Sequence, residues 1–188
     1  MRRIDTELPG VCIIEPEVFE DSRGCFFETY HQEKLAALGI DCFFLQENQS
    51  LTRKGVLRGL HYQLAHPQAK LCRVVSGEVF DVAVDIRLGS MTFGRWTGVA
   101  LSGSNRRQIF IPRGFAHGFI VRSETAEFIY KCDDFYHPED EWGVLWSDPC
   151  LAIAWGSTDP QLAARDAKHP LLSEISPSRL PRHWRSID

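Results

Sequence analysis

Apolar and polar residues alternate along much of this chain with the two-residue period of a half-buried strand. The clearest case is 78–87, where Phe80, Val82, Val84 and Ile86 fall on one face and Asp81, Ala83, Asp85 and Arg87 on the other. The second face is polar, which marks it as a candidate wall of a site. Shorter runs rich in aromatic and β-branched residues occupy 25–29, 42–45, 72–75, 95–101, 108–111, 119–122 and 125–132, separated by Gly, Pro, Asp or Ser. That rhythm predicts an all-β barrel or sandwich. Ser76-Gly77 reads as a turn, so 71–75 and 79–86 are expected to pair as a hairpin. One helix is predicted over 32–38 with Gly39 as its C-terminal cap, and weaker helical signals lie in 160–178.

Composition narrows this picture. With 188 residues and 44% apolar content, the chain can bury one sizeable core, so 1–188 reads as a single domain whose segment from about 160 packs on the barrel. The formal net charge of -4 gives no chain-wide attraction to nucleic acid or anionic lipid, so neither is expected as a partner. No apolar run approaches the ~18 residues of a membrane span. The six cysteines lack C-x-x-C spacing, and no apolar signal segment follows Met1, so reduced thiols in a cytoplasmic protein are the expectation.

Polar information is densest over 46–70, which reads as one hairpin carrying Gln46, Asn48, Arg58, His61 and Lys70. On a regular strand Leu57, Gly59, His61 and Gln63 face one way and Arg58 the other. For Arg58 and His61 to share a pocket, Gly59 must host a bulge or twist; a surface arginine and a hydrogen-bonded histidine explain the same residues equally well. His117 sits in Gly114-Phe115-Ala116-His117-Gly118, where a ligand or backbone could approach closely. Tyr130 shares a strand face with Ala126 and Phe128 and could aim its hydroxyl into a barrel lumen as a proton donor, although most such tyrosines only pack.

Taken together, residues 19–28, 46–50, 55–63, 70–71, 77–87, 92–94, 112–119 and 130–131 resemble, in order, the dTDP-4-dehydrorhamnose 3,5-epimerase family of the cupin superfamily. The resemblance implies a cupin-type double-stranded β-helix, or jelly-roll barrel, with a few short peripheral helices. It places the general base on His61, its carboxylate partner on Asp166, the general acid on Tyr130, and Lys70 near the substrate's keto oxygen. Arg23, Glu28, Gln46, Asn48, Arg58, His117, Glu141 and Arg165 correspond to positions that contact nucleotide, phosphates or sugar; Arg165 replaces a more usual Lys. The implied substrate is a dTDP-4-keto-6-deoxyhexose, with no cofactor and no metal, and the implied assembly is a homodimer with strands exchanged at the interface.

The residue types suit the reaction. Epimerisation beside a ketone removes a carbon-bound proton to give an enolate and returns a proton from the opposite face. An imidazole, with an ordinary pKa of ~6.5, suits the first task, and a carboxylate on its other nitrogen fixes the tautomer. A cation near the enolate oxygen lowers the barrier, and guanidinium groups match phosphates. Two rival readings fit the same residues. A metal-dependent cupin isomerase or oxygenase is suggested by residues 112–117, although the His-x-His pair is missing, and metal content would discriminate it. A non-catalytic nucleotide-sugar-binding barrel is the other, but binding alone has no need of an acid and a base.

Overall fold

The computed structural model describes residues 1–183. In chain order the elements are β1 (Arg2–Asp5), β2 (Cys12–Glu15), β3 (Val18–Asp21), β4 (Gly24–Phe27), α1 (Gln32–Ala37), β5 (Gln46–Arg53), β6 (Leu57–Gln63), β7 (Lys70–Ser76), β8 (Glu78–Asp85), β9 (Trp96–Ser102), β10 (Gln108–Ile111), β11 (Phe115–Val121), β12 (Thr125–Cys132) and β13 (Glu141–Gly143). They form a six-stranded sheet, β1-β2-β10-β7-β12-β5, a five-stranded sheet, β13-β6-β11-β8-β9, and the separate hairpin β3-β4. All strand pairs within these sheets are antiparallel, as in a cupin-type jelly roll.

From β5 to β8 each successive strand crosses to the other sheet, and this corrects two expectations. β7 and β8 do not pair as a hairpin: β7 lies between β10 and β12, and β8 between β11 and β9. Gly77 turns the chain from one sheet to the other at φ +81, and a Cβ there would lie 2.0 Å from the Thr125 carbonyl oxygen. The same holds for 46–70, because β5 and β6 belong to facing sheets and not to one hairpin. The aromatic run 42–45 is not a strand; it is irregular chain leading into β5, with Phe43 exposed and Phe44 packed against a small apolar cluster beside α1. Composition alone did not separate an aromatic loop from a strand.

The strand periodicity places three apolar layers. Phe128, Phe119, Phe115, Val74, Ala83 and Ile109 are among the residues that fill the space between the sheets. Val82 and Val84 of β8, with Ile86 just after it, point outward, where Trp155, Leu172, Ile175 and Leu180 of the C-terminal segment cover them. The polar face of β8 therefore turns into the barrel. Helix α1 buries Leu35 with Ile14, Leu71 and Phe110 on the outside of the six-stranded sheet, and Gly39 follows it at φ +79, the left-handed conformation that ends helices. The helical signals over 160–178 resolve into 3-10 turns at Asp166–Lys168, Leu172–Glu174 and Pro177–Arg179.

The anticipated irregularity at Gly59 is present. β11 runs from His117, opposite His61, to Phe119, opposite Arg58, so β6 carries one residue more than its partner over this stretch. Leu57 and Leu60 then both face the outer apolar layer, while Arg58 and His61 both line the space between the sheets. Gly59 sits at φ +126, and a Cβ there would lie 2.5 Å from Gly118 Cα and 2.8 Å from the His117 carbonyl oxygen. Gly59→Ala is expected to lose at least ~2 kcal/mol of stability, because both the conformation and the space are denied to a side chain. Chemical denaturation checks this; an unchanged midpoint would show that the bulge tolerates a side chain.

Candidate active site

A cavity of about 710 Å³ opens between the two sheets. The six-stranded wall contributes Gln46, Asn48 and Thr52 from β5, Lys70 from β7, and Phe128 and Tyr130 from β12; the facing wall contributes Arg58 and His61 from β6, His117 and Phe119 from β11, and Glu141 from β13. Arg165 and Asp166 close one side from the C-terminal segment. That segment is fastened to the start of β6, where Leu57 N–H donates to the Gln161 carbonyl at 3.0 Å and Gln161 N–H to the Gly55 carbonyl at 2.9 Å.

His61 and Asp166, 105 positions apart in sequence, meet with 2.9 Å between Nε2 and Oδ1. The second carboxylate oxygen accepts the Gly59 N–H at 3.3 Å. The bulge therefore turns His61 toward the cavity and also supplies a donor to its partner. Burial alone would push the Asp166 carboxyl up. The neighbouring His169 and His61 imidazoles and the Gly59 N–H outweigh it and hold the group well below the ordinary carboxylate range. Asp166 is accordingly charged at neutral pH, able to orient the ring and stabilise an imidazolium.

Tyr130 stands on the other wall. Burial pushes its hydroxyl up to about 12, reinforced by Cys132, Cys72 and Glu141 and opposed by Arg58. It stays protonated at neutral pH, as a proton donor must. The Lys70 ammonium lies 5.8 Å from the centroid of the Tyr130 ring. Asn48 is the register partner of Tyr130 on β5, and Lys70 and Gln46 both flank Cys132. The amide of Gln46 donates to Asn48 Oδ1 at 3.0 Å, and Arg58 Nε donates to Thr52 Oγ1 at 3.3 Å.

Glu141 is a hub. One of its oxygens accepts the Tyr136 hydroxyl at 2.9 Å and also pairs with Arg165, and the other lies 3.8 Å from His61 Nδ1. His117 faces His61 across β6 and β11 but has its own carboxylate, Asp81, at 2.9 Å from Nε2. Asp81 comes from the inward polar face of β8 and is fully buried. Each of the two histidines is thus held by a separate acid.

Two sequence-predicted positions do not reach this cavity within one chain. Arg23 sits at the exposed tip of the β3-β4 hairpin, bonded to Asp21 at 2.6 Å, and Glu28 pairs with Lys34 at 2.8 Å. Conversely, sequence reading missed Tyr136, Gln63 and Gln68, all of which line the cavity. Gln63 had a legible position two residues after His61; Tyr136 had no signal beyond an aromatic residue in an acidic loop. Asp81 lay on the face already marked as polar, without a stated partner.

Residues 5–174 match the family model described as dTDP-4-dehydrorhamnose 3,5-epimerase. A protein of that name from Salmonella typhimurium is 51% identical over 174 residues, covering 91% of this chain and 95% of the relative. One from Neisseria gonorrhoeae is 53% identical over 164 residues, 87% of this chain, and this chain spans 50% of that longer relative. The crystal structure of dTDP-6-deoxy-D-glucose-3,5-epimerase from Legionella pneumophila, in complex with dTDP-4-keto-L-rhamnose, is similar at TM-score 0.95 and 51% identity, covering 98% of this chain and 99% of that one. Similarity of this extent, in sequence and in fold together, settles the family: this chain belongs to the dTDP-4-dehydrorhamnose 3,5-epimerases.

Proposed function

We propose that this chain inverts C3 and C5 of a dTDP-4-keto-6-deoxyhexose, with His61 as base, Tyr130 as acid, Lys70 beside the keto oxygen and Asp166 orienting His61. The observation that carries the reading is the placement of a carboxylate-held imidazole on one wall and a protonated phenol on the facing wall of the same cavity. His61 takes the proton from the carbon next to the C4 ketone, and the electron pair moves onto the oxygen as an enolate that the Lys70 ammonium stabilises. Tyr130 then gives its proton to the opposite face of that carbon. C3 and C5 are both acidic for the same reason, since each adjoins the ketone. Arg58 and Arg165 supply positive charge at the mouth for the diphosphate, and Gln46, Asn48, His117 and Glu141 hold polar groups of the sugar and nucleotide.

The reading extends to a second copy of the chain. Phe19, Phe26 and Leu51 are exposed on β3, β4 and the edge strand β5, and Arg23 and Glu28 stand on or beside the same hairpin without reaching their own cavity. In a dimer formed through this surface, the hairpin of one copy brings Arg23 and Glu28 to the cavity of the other.

Two outcomes are expected. In deuterium oxide, His61→Ala loses exchange and inversion together by ~100-fold or more, whereas Tyr130→Phe separates them: recovered substrate gains label with its configuration retained while product formation falls sharply. Proton NMR of the sugar reads both; equal loss in Tyr130→Phe would place Tyr130 in enolate formation, and unchanged inversion would remove it as the acid. Secondly, refolding a mixture of His61→Ala and Arg23→Ala chains should recover roughly a quarter of normal activity, because half of randomly paired dimers contain one intact site. Activity no higher than that of Arg23→Ala alone would show that the hairpin does not serve the partner's cavity.

A further inference from the structure

Among the described residues, one buried side-chain nitrogen or oxygen has no hydrogen-bond partner: Nε2 of His169. It lies 3.7 Å from Oδ1 of Asp166, the oxygen that also faces His61 Nε2 at 2.9 Å. Two imidazoles thus converge on one carboxylate, with their rings edge to face and centroids 5.7 Å apart. A lone pair on Nε2 aimed at a carboxylate oxygen would be repelled, so the neutral His169 ring carries its proton on Nε2.

The seat of this ring is built into the sheet. Gly143 on β13 is the register partner of His61, and a Cβ at Gly143 would lie 2.3 Å from His169 Nε2. Its backbone is not in the left-handed region, so the absence of a side chain serves space and not conformation. The bare backbone opposite the base is filled by the second imidazole. His169 follows directly on the Asp166–Lys168 turn, and it does not line the cavity. Anything it does for the reaction goes through Asp166.

We infer that His169 is a positioning residue for the base: as a second N–H donor to Asp166 it fixes the direction of the carboxylate and withholds part of its charge from His61. This rests on the reading of His61 as base and Asp166 as its partner. Closing the gap to a hydrogen bond of about 2.9 Å takes roughly 0.8 Å, and catalytic hydrogen bonds commonly tighten by such amounts when a ligand fills the site. The other groups around the shared carboxylate are Arg165, with Nε 3.4 Å from Asp166 Oδ1, and the Gly59 N–H. Glu141 faces the far nitrogen of His61.

His169→Phe keeps a ring and removes both nitrogens, while His169→Gln retains a side-chain donor. In His169→Phe the undivided charge of Asp166 stabilises the His61 imidazolium. The acid limb of the pH profile for solvent-deuterium exchange should therefore move to higher pH by ~0.5 unit or more, and kcat should fall ~10-fold as the base loses its fixed orientation, with KM nearly unchanged. His169→Gln should recover most of kcat and move the limb back. The same coupling can be read without turnover, as the pH midpoint of the His61 ring resonances by NMR in the ligand-free protein. An unmoved midpoint and acid limb in His169→Phe, with or without a loss of thermal stability, would overturn the inference. If the midpoint moves while the unsubstituted protein neither exchanges nor inverts a 4-keto sugar nucleotide, the coupling stands and the epimerase reading of the site falls.

Discussion

One extra residue in β6 governs the architecture of the site. Without it, Arg58 and His61 would lie on opposite faces of the five-stranded sheet, and His61 would point into the outer apolar layer with Leu57. With it, both face the cavity, and the Gly59 N–H is aimed at Asp166. The bulge thus sets the direction of His61 and anchors the carboxylate that its ring meets. It also explains why two glycines, Gly59 and Gly118, meet here: the strands approach so closely that a Cβ on Gly118 would lie 2.7 Å from the Arg58 carbonyl oxygen. The C-terminal segment is a working part of the barrel for the same reason. It covers the outer layer, is sewn to the start of β6 through Gln161, and delivers Asp166 to the bulge.

Burial pushes both the Asp166 carboxyl and the Tyr130 hydroxyl up, but only at Asp166 do neighbouring groups outweigh it. Asp166 is almost fully buried and yet stays ionised, because two imidazoles and the Gly59 N–H surround it and favour a charged carboxylate over a neutral one. Tyr130 is half-buried without such a donor set, and its anion is disfavoured further by the acidic groups near it. One wall therefore stabilises positive charge on an imidazole, and the other withholds negative charge from a phenol. This is the polarity that a proton removed on one face and returned on the other requires.

Much of this was legible in the residues themselves. The period of β8, the run of β12 and the glycine after α1 gave strands and a helix close to those observed, because they depend on local burial and local backbone conformation. The bulge at Gly59 was deducible as the condition under which Arg58 and His61 could share a pocket. Pairing was not legible: the Ser76-Gly77 turn and the 46–70 stretch look local, but the chain crosses between sheets at both, and a turn signal does not encode which sheet the next strand joins. The aromatic run 42–45 lacked the alternation that distinguishes a strand from a loop packed by Phe44. Asp166 reached the site through family resemblance, since nothing local ties it to a histidine 105 positions away. His169 was invisible for the same reason, as its contacts depend on where a tail folds back.

In the proposed reaction two different groups, on facing walls, handle the proton that leaves and the proton that arrives. A single turnover in deuterium oxide, with protein in excess over a dTDP-4-keto-6-deoxyhexose and the product examined by mass spectrometry and proton NMR, tests it most directly. One solvent-derived deuterium is expected at every inverted centre from the first turnover, because in the proposed mechanism the proton delivered comes from Tyr130 and not from the carbon that His61 deprotonates. Retention of the substrate's own hydrogen at an inverted centre would mean that one group carries the proton from face to face, and would contradict it.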